Sequence, residues 1–227
     1  MIGAHKFEEL RLINRLFPSL QHIYLFEPQA EPLVALKQLA ERDSRIKVFP
    51  CAVSDTDGVA SFNVASNDGE SSSLLKLGTH RELFPEVTMK TVIEVPTRRL
   101  DSVLTEHGLA NPDVMIVDVQ GAEYLVLKSF SPTVLDGLRL LYTEVSTEAL
   151  YESAGLLSDV EALLASRFVN LGFAPMRADV PMHGNAVFVA RADADVAVAL
   201  KLGERFRRAF HRLKRRLRGR PGAAANS

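Results

Sequence analysis

The chain has 227 residues, 47% of them hydrophobic and 24% charged, and a formal net charge of −1. That balance fits a globular protein long enough to bury a full core, and it excludes disordered and fibrous classes. One cysteine, Cys51, rules out a disulfide framework within the chain, and no leader pattern or apolar run of about 20 residues is visible, so a cytoplasmic location is expected.

The elements follow in order. His22–Pro28 (HIYLFEP) reads as a buried strand and leads into a helix from about Ala30 to Arg42. Ile46–Ser54 is the next strand. Gly58–Val64 and Thr91–Val95 read as strands flanking the polar loop Asn67–Ser73, a β insertion over about 58–95. Strands at Val114–Gln120 and Leu138–Ser146 alternate with helices at Arg98–Gly108, Gly121–Phe130 and Leu156–Leu171. Near-continuous hydrophobicity in these strands suits burial on both faces. The alternation predicts an α/β fold with a Rossmann-like, doubly wound, mostly parallel sheet. Phe173–Val180 and Ala186–Ala192, separated by Pro-Met-His-Gly-Asn, predict an antiparallel hairpin at one sheet edge. The expected domain covers 1–195, followed by a basic helix over 196–220 and a disordered tail over 221–227.

Three acids end three of these strands. Glu27 precedes Pro28 and lies 24 residues after Gly3, the candidate first turn Gly3-Ala4-His5. In nucleotide-binding α/β folds an acid at about this distance accepts hydrogen bonds from ribose hydroxyls. The alternative is an acid that caps the next helix. Asp118 closes VMIVDVQG and Glu144 closes LLYTEVS, again at the sheet edge where open α/β sheets bind ligands. Acids among so many aliphatic residues are costly to desolvate without partners, which favours a site over three unrelated caps. Glu123 suits the positive end of a helix dipole and reads as structural. The six histidines lack metal-ligand spacing, so no metal site is expected, and no Gly-x-Gly-x-x-Gly turn supports a nicotinamide dehydrogenase.

Tyr24-Leu25-Phe26-Glu27-Pro28, Ala52-Val53-Ser54-Asp55, Val95-Pro96-Thr97-Arg98-Arg99-Leu100-Asp101 and Ile116-Val117-Asp118-Val119-Gln120-Gly121-Ala122-Glu123 together resemble the FkbM methyltransferases. Gly184-Asn185-Ala186 before a strand also fits, and the similarity covers about Gly3 to Ala190. The resemblance implies S-adenosylmethionine as cofactor and a hydroxyl of a sugar, polyketide or related metabolite as acceptor. It implies that Gly3, Ala4 and His5 form the first cofactor loop, that Glu27 with Pro28 holds the ribose, and that Ala52 lies near the adenine. Asp118 would face the methionine end or the acceptor and is the first candidate for a base, with Glu144 and His183 behind it. The family loop reads approximately Asp-x-Gly-Ala-Asn-x-Gly, whereas this chain has Met1 and Phe7 at its ends. The strand that should precede that loop is expected to be missing. A non-catalytic binding member of the same fold is the rival reading.

The far end differs in charge. From Gly203 to Arg220 nine Lys or Arg accompany one acid, a local +8 that leaves −9 for the rest. Leu202, Phe206, Phe210, Leu213 and Leu217 recur at helical spacing and form one stripe amid the cations. Two occupants of that stripe are expected alternatives: an anionic membrane surface at the inner face, or the body of the protein itself. Nucleic acid is disfavoured, because the acidic body repels phosphate.

Overall fold

Apolar alternation along short strands sets the frame of the computed structural model, which describes residues 1–199 together with 201, 204, 205, 208 and 209. In chain order the first half comprises α1 (Leu10–Leu16), β1 (Ile23–Phe26), α2 (Ala30–Arg42), β2 (Ile46–Phe49), β3 (Ala52–Val53), β4 (Gly58–Ala65), α3 (His80–Leu83) and β5 (Met89–Arg98). The second half comprises α4 (Leu100–Glu106), β6 (Val114–Val117), α5 (Glu123–Lys128), α6 (Pro132–Gly137), β7 (Leu140–Ser146), α7 (Leu157–Leu164), β8 (Phe168–Arg177), β9 (Val180–Ala190) and α8 (Ala194–Ala199).

Neighbouring residues on a strand point to opposite faces, and here they feed two cores. Val117, Leu141 and Phe188 pack with residues of α4, α5 and α7 on one side. Ile116, Tyr142 and Val187 pack with residues of α1, α2 and α8 on the other, where Ala209 also joins. Each buried Leu, Val or Phe contributes about 1.5–3 kcal/mol, so helices cover both faces for a clear reason. Ser131 starts α6 by accepting the Val134 N–H at 3.3 Å, with Pro132 at the first helical position.

The sheet is mixed, which corrects the expectation of mostly parallel strands. β1–β2, β3–β5 and β6–β7 are parallel, whereas β4–β5, β7–β9 and β8–β9 are antiparallel. Antiparallel neighbours allow the two-residue turn Ala178-Asp179 between β8 and β9, which parallel strands could not use. The stretch expected as an insertion holds β4 and β5, with β5 bonded to β3 on one side and to β4 on the other.

No strand precedes β1 among the described residues, yet the slot of the expected first strand is filled. Ile2 forms parallel bridges to both Phe26 and Val117. Its N–H donates to the Ile116 carbonyl at 2.8 Å and its carbonyl accepts the Asp118 N–H at 3.0 Å. Met1–Gly3 therefore occupy the slot between β1 and β6.

Two local expectations fail. Pro181–Asn185 lie within β9 and are not a turn. Gly184 serves close strand approach, since a Cβ there would stand 2.1 Å from the Ala174 carbonyl oxygen. The helix expected to reach Leu171 ends at Leu164, because Phe168 pairs with Ala190 in the sheet and is buried there. The apolar stripe expected at Leu202, Phe206, Phe210, Leu213 and Leu217 lies outside the described residues, as does the tail over 221–227. Among the described residues no helix is long and apolar enough to cross a membrane.

Candidate active site

The backbone leaves the central slot at Gly3, whose φ is +75°. A Cβ at this position would stand 1.8 Å from the Asp118 carbonyl oxygen, so only glycine fits. The turn that follows presents the His5 N–H to Glu27 Oε2 at 2.8 Å. From the other side the Gln29 N–H and Nε2 donate to Glu27 Oε1 at 2.9 and 3.3 Å. Glu27 is 2% exposed. Burial raises its carboxyl pKa, and these N–H donors oppose the rise. Gln29 also accepts the Ser72 hydroxyl at 3.1 Å and donates to the Gly69 carbonyl at 3.3 Å. His5 Nε2 lies 3.0 Å from the Asp68 carbonyl, and Lys6 pairs with the Asp68 carboxylate. The 67–73 loop is thus fastened to the first turn.

Phe7 stands where the family loop has its second glycine, and it keeps the left-handed backbone, φ +51°. A side chain there costs about 1–2 kcal/mol. Burial of the ring, 3% exposed in the second core, contributes about 1.5–3 kcal/mol and offsets that cost.

Across the slot, Asp118 follows β6 and Glu144 lies in β7. Val117 pairs with Thr143, so Asp118 and Glu144 occupy the next rung on a common face. Gln120, a non-glycine residue at φ +57°, turns its side chain back toward them. Its Nε2 donates to Asp118 Oδ1 at 2.7 Å and also to Glu144 Oε2. Its Oε1 accepts the Tyr151 hydroxyl at 3.0 Å. Glu123 heads α5 and accepts the Val119 N–H at 3.0 Å. One oxygen from each of Asp118, Glu123 and Glu144 lies within 4.8 Å of the others. Burial, then the charges of Glu144 and Asp118, push the Glu123 carboxyl up to about 8. His183 Nδ1 is 3.0 Å from Ser146 Oγ, and its Nε2 is 3.6 Å from Glu144 Oε2.

These two halves face one cavity of about 360 Å³. The residues expected to bind cofactor or to act as base line it: Gly3, Ala4, His5, Glu27, Pro28, Ala52, Asp118, Glu144 and His183. Its walls also bring in Gln29, Gln120 and His80, which the sequence reading missed. Gln120 lay in plain view inside the Asp118–Glu123 motif, whereas His80 carried no local signal. Glu123 is more than a helix-end charge, because it belongs to the acid cluster.

His80 is 4% exposed, and its imidazole is pushed down to about 4 by burial and then by the nearby His183. The unfolded chain takes up its proton near pH 6.5, so stability is full above that pH and declines as pH falls toward 4. Between pH 7 and pH 5 this one group should cost about 2 kcal/mol. Urea midpoints of the parent and His80→Phe check it. The variant should lose less stability than the parent over that interval, and equal losses would remove His80 as the source.

Comparison with known proteins decides the family. The methyltransferase FkbM domain model matches residues 2–173. The chain belongs to the FkbM methyltransferase family. One relative, 2-O-methyltransferase NoeI of Sinorhizobium fredii (strain NBRC 101917 / NGR234), is 32% identical over 171 residues. That alignment covers 73% of this chain and 70% of the relative. The crystal structure of methyltransferase FkbM from Methylobacillus flagellatus KT superposes with a TM-score of 0.55 at 17% identity, which speaks for the fold alone. It matches 82% of this chain, and this chain spans 42% of that one.

Proposed function

We propose that the chain is an S-adenosylmethionine-dependent O-methyltransferase acting on a hydroxyl of a sugar, polyketide or related small metabolite. The observation that carries this reading is the single cavity joining Gly3 and Glu27 to Asp118, Glu144 and His183. We read the strand order β2-β1-(Met1–Gly3)-β6-β7-β9-β8 as Rossmann-like and doubly wound, with the cavity at the carboxyl ends of its parallel strands.

The residues fit the cofactor. A carboxylate offers about four acceptor positions, so Glu27 keeps capacity for ribose hydroxyls beyond its three N–H donors. Ala52, Phe62 and Leu74 provide an apolar wall in the same cavity for an adenine ring. Gly3 allows the left-handed turn that sets His5 against Glu27. When bound, S-adenosylmethionine supplies a methyl group already activated by its sulfonium.

The protein then has to seat the acceptor, exclude water and remove one proton. We assign proton removal to His183, whose imidazole lines the cavity, with Asp118, whose Oδ1 accepts from Gln120, as the second candidate. His183 takes the hydroxyl proton as that oxygen gains the methyl group. Ser146 and Glu144 orient the imidazole for this, in the way a second residue holds a catalytic base. Asp118 faces the acceptor across the cavity.

Calorimetry with S-adenosylmethionine tests the first half of the assignment. Glu27→Gln removes a charge-assisted acceptor and should weaken binding by about 1.5–3 kcal/mol, roughly tenfold or more in Kd. A folded Glu27→Gln variant that binds as tightly as the parent would sink the ribose assignment.

A further inference from the structure

We propose that the row across β6, β7 and β9 binds one divalent cation of the hard, oxygen-seeking class, Mg²⁺ or Mn²⁺, through Asp118, Glu123, Glu144 and the amide oxygen of Asn185. Three carboxylate oxygens within 4.8 Å of one another are the first observation. Two of these acids, Glu123 and Glu144, are 4% and 2% exposed. Carboxylates so placed repel one another unless one of them holds a proton or a positive charge lies between them.

Asn185 is the second, independent observation. It is 8% exposed, and its Oδ1 has no hydrogen-bond partner. A buried amide oxygen left unsatisfied is costly, on the order of 1–3 kcal/mol. Asn185 stands directly opposite Glu144 in the antiparallel β7–β9 register, so both side chains project from the same sheet face. His183, two residues earlier on that face, lines the cavity with Asp118 and Glu144. The orphan oxygen thus stands on the sheet face that carries Glu144.

Gln120 shows where positive charge is wanted. Its amide nitrogen reaches both Asp118 and Glu144, a partial positive charge set between two carboxylates. The donor set is all oxygen, with no Cys and no His, and this favours Mg²⁺ or Mn²⁺ over Zn²⁺. Beside the acceptor the cation would lower the pKa of a coordinated hydroxyl. That consequence rests on the methyl-transfer reading; binding itself does not.

The test therefore uses the full chain with Mn²⁺ alone, following loss of the free-ion paramagnetic resonance signal, with no cofactor or acceptor present. The parent should bind one Mn²⁺ per chain and release it to Mg²⁺. Asp118→Asn should weaken binding about tenfold or more, and Gln120→Glu, which adds a carboxylate, should tighten it. Asn185→Leu, checked for folding by circular dichroism, should also bind more weakly, an effect that a purely structural asparagine would not produce. A parent that leaves millimolar Mn²⁺ free, or an Asp118→Asn variant that binds like the parent, overturns the proposal.

Discussion

Gly3→Ala is expected to lower the melting temperature by about 6–12 °C, the equivalent of roughly 3 kcal/mol for a chain of this size. Two costs combine. The left-handed φ of +75° penalises any side chain by about 1–2 kcal/mol. The added methyl also has nowhere to go, because the obstructing atom is the Asp118 carbonyl oxygen, part of the backbone beside the central slot. Relief requires Ile2 to move, and Ile2 is bonded to Ile116 on one side while Gly3 and Ala4 donate to the Phe26 carbonyl on the other. A thermal melt followed by circular dichroism reads the effect. A variant melting within 2 °C of the parent would mean that the chain start does not pack between β1 and β6 as described.

The second large effect concerns His183. His183→Gln should reduce methyl transfer by about 10²- to 10⁴-fold, the usual contribution of a positioned base. Cofactor affinity should stay near that of the parent, since His183 is not among the residues assigned to the cofactor. Single-turnover transfer to any hydroxyl compound that the parent methylates separates the two quantities. A variant that transfers at the parental rate would return the base role to Asp118, or to alignment without a base.

Glu27 and Asp118 were legible because each is a local event at a strand end, whereas Glu144 lies inside β7, which runs on to Ser146. An apolar run stops, an acid follows, and a turn or helix begins, as at Phe26-Glu27-Pro28 and Val117-Asp118. Distance along the chain then decides what stays hidden. Tyr151 reaches Gln120 from 31 residues away and Ser72 reaches Gln29 from 43, and neither pair has a spacing that periodicity detects. The parallel bridges of Ile2 involve a single residue, too short for any alternation to show. The hairpin turn was misplaced for a different reason. Pro181 and Gly184 look like punctuation, yet Gly184 is there because the Ala174 backbone passes too close for a side chain. In Glu123 the local reading was right about the helix end and silent about the two acids that fold up against it.

The link through Gln29 has a thermodynamic consequence. One amide serves the acid expected to hold ribose and, through Ser72 and Gly69, the insertion loop that walls the cavity. A ligand that redistributes the hydrogen bonds of Glu27 changes the standing of that loop, and a ligand seated against the loop changes Glu27 in return. Linkage makes the two effects equal in free energy. Cofactor and acceptor would therefore raise or lower each other's affinity by a single factor, read identically whichever is titrated first.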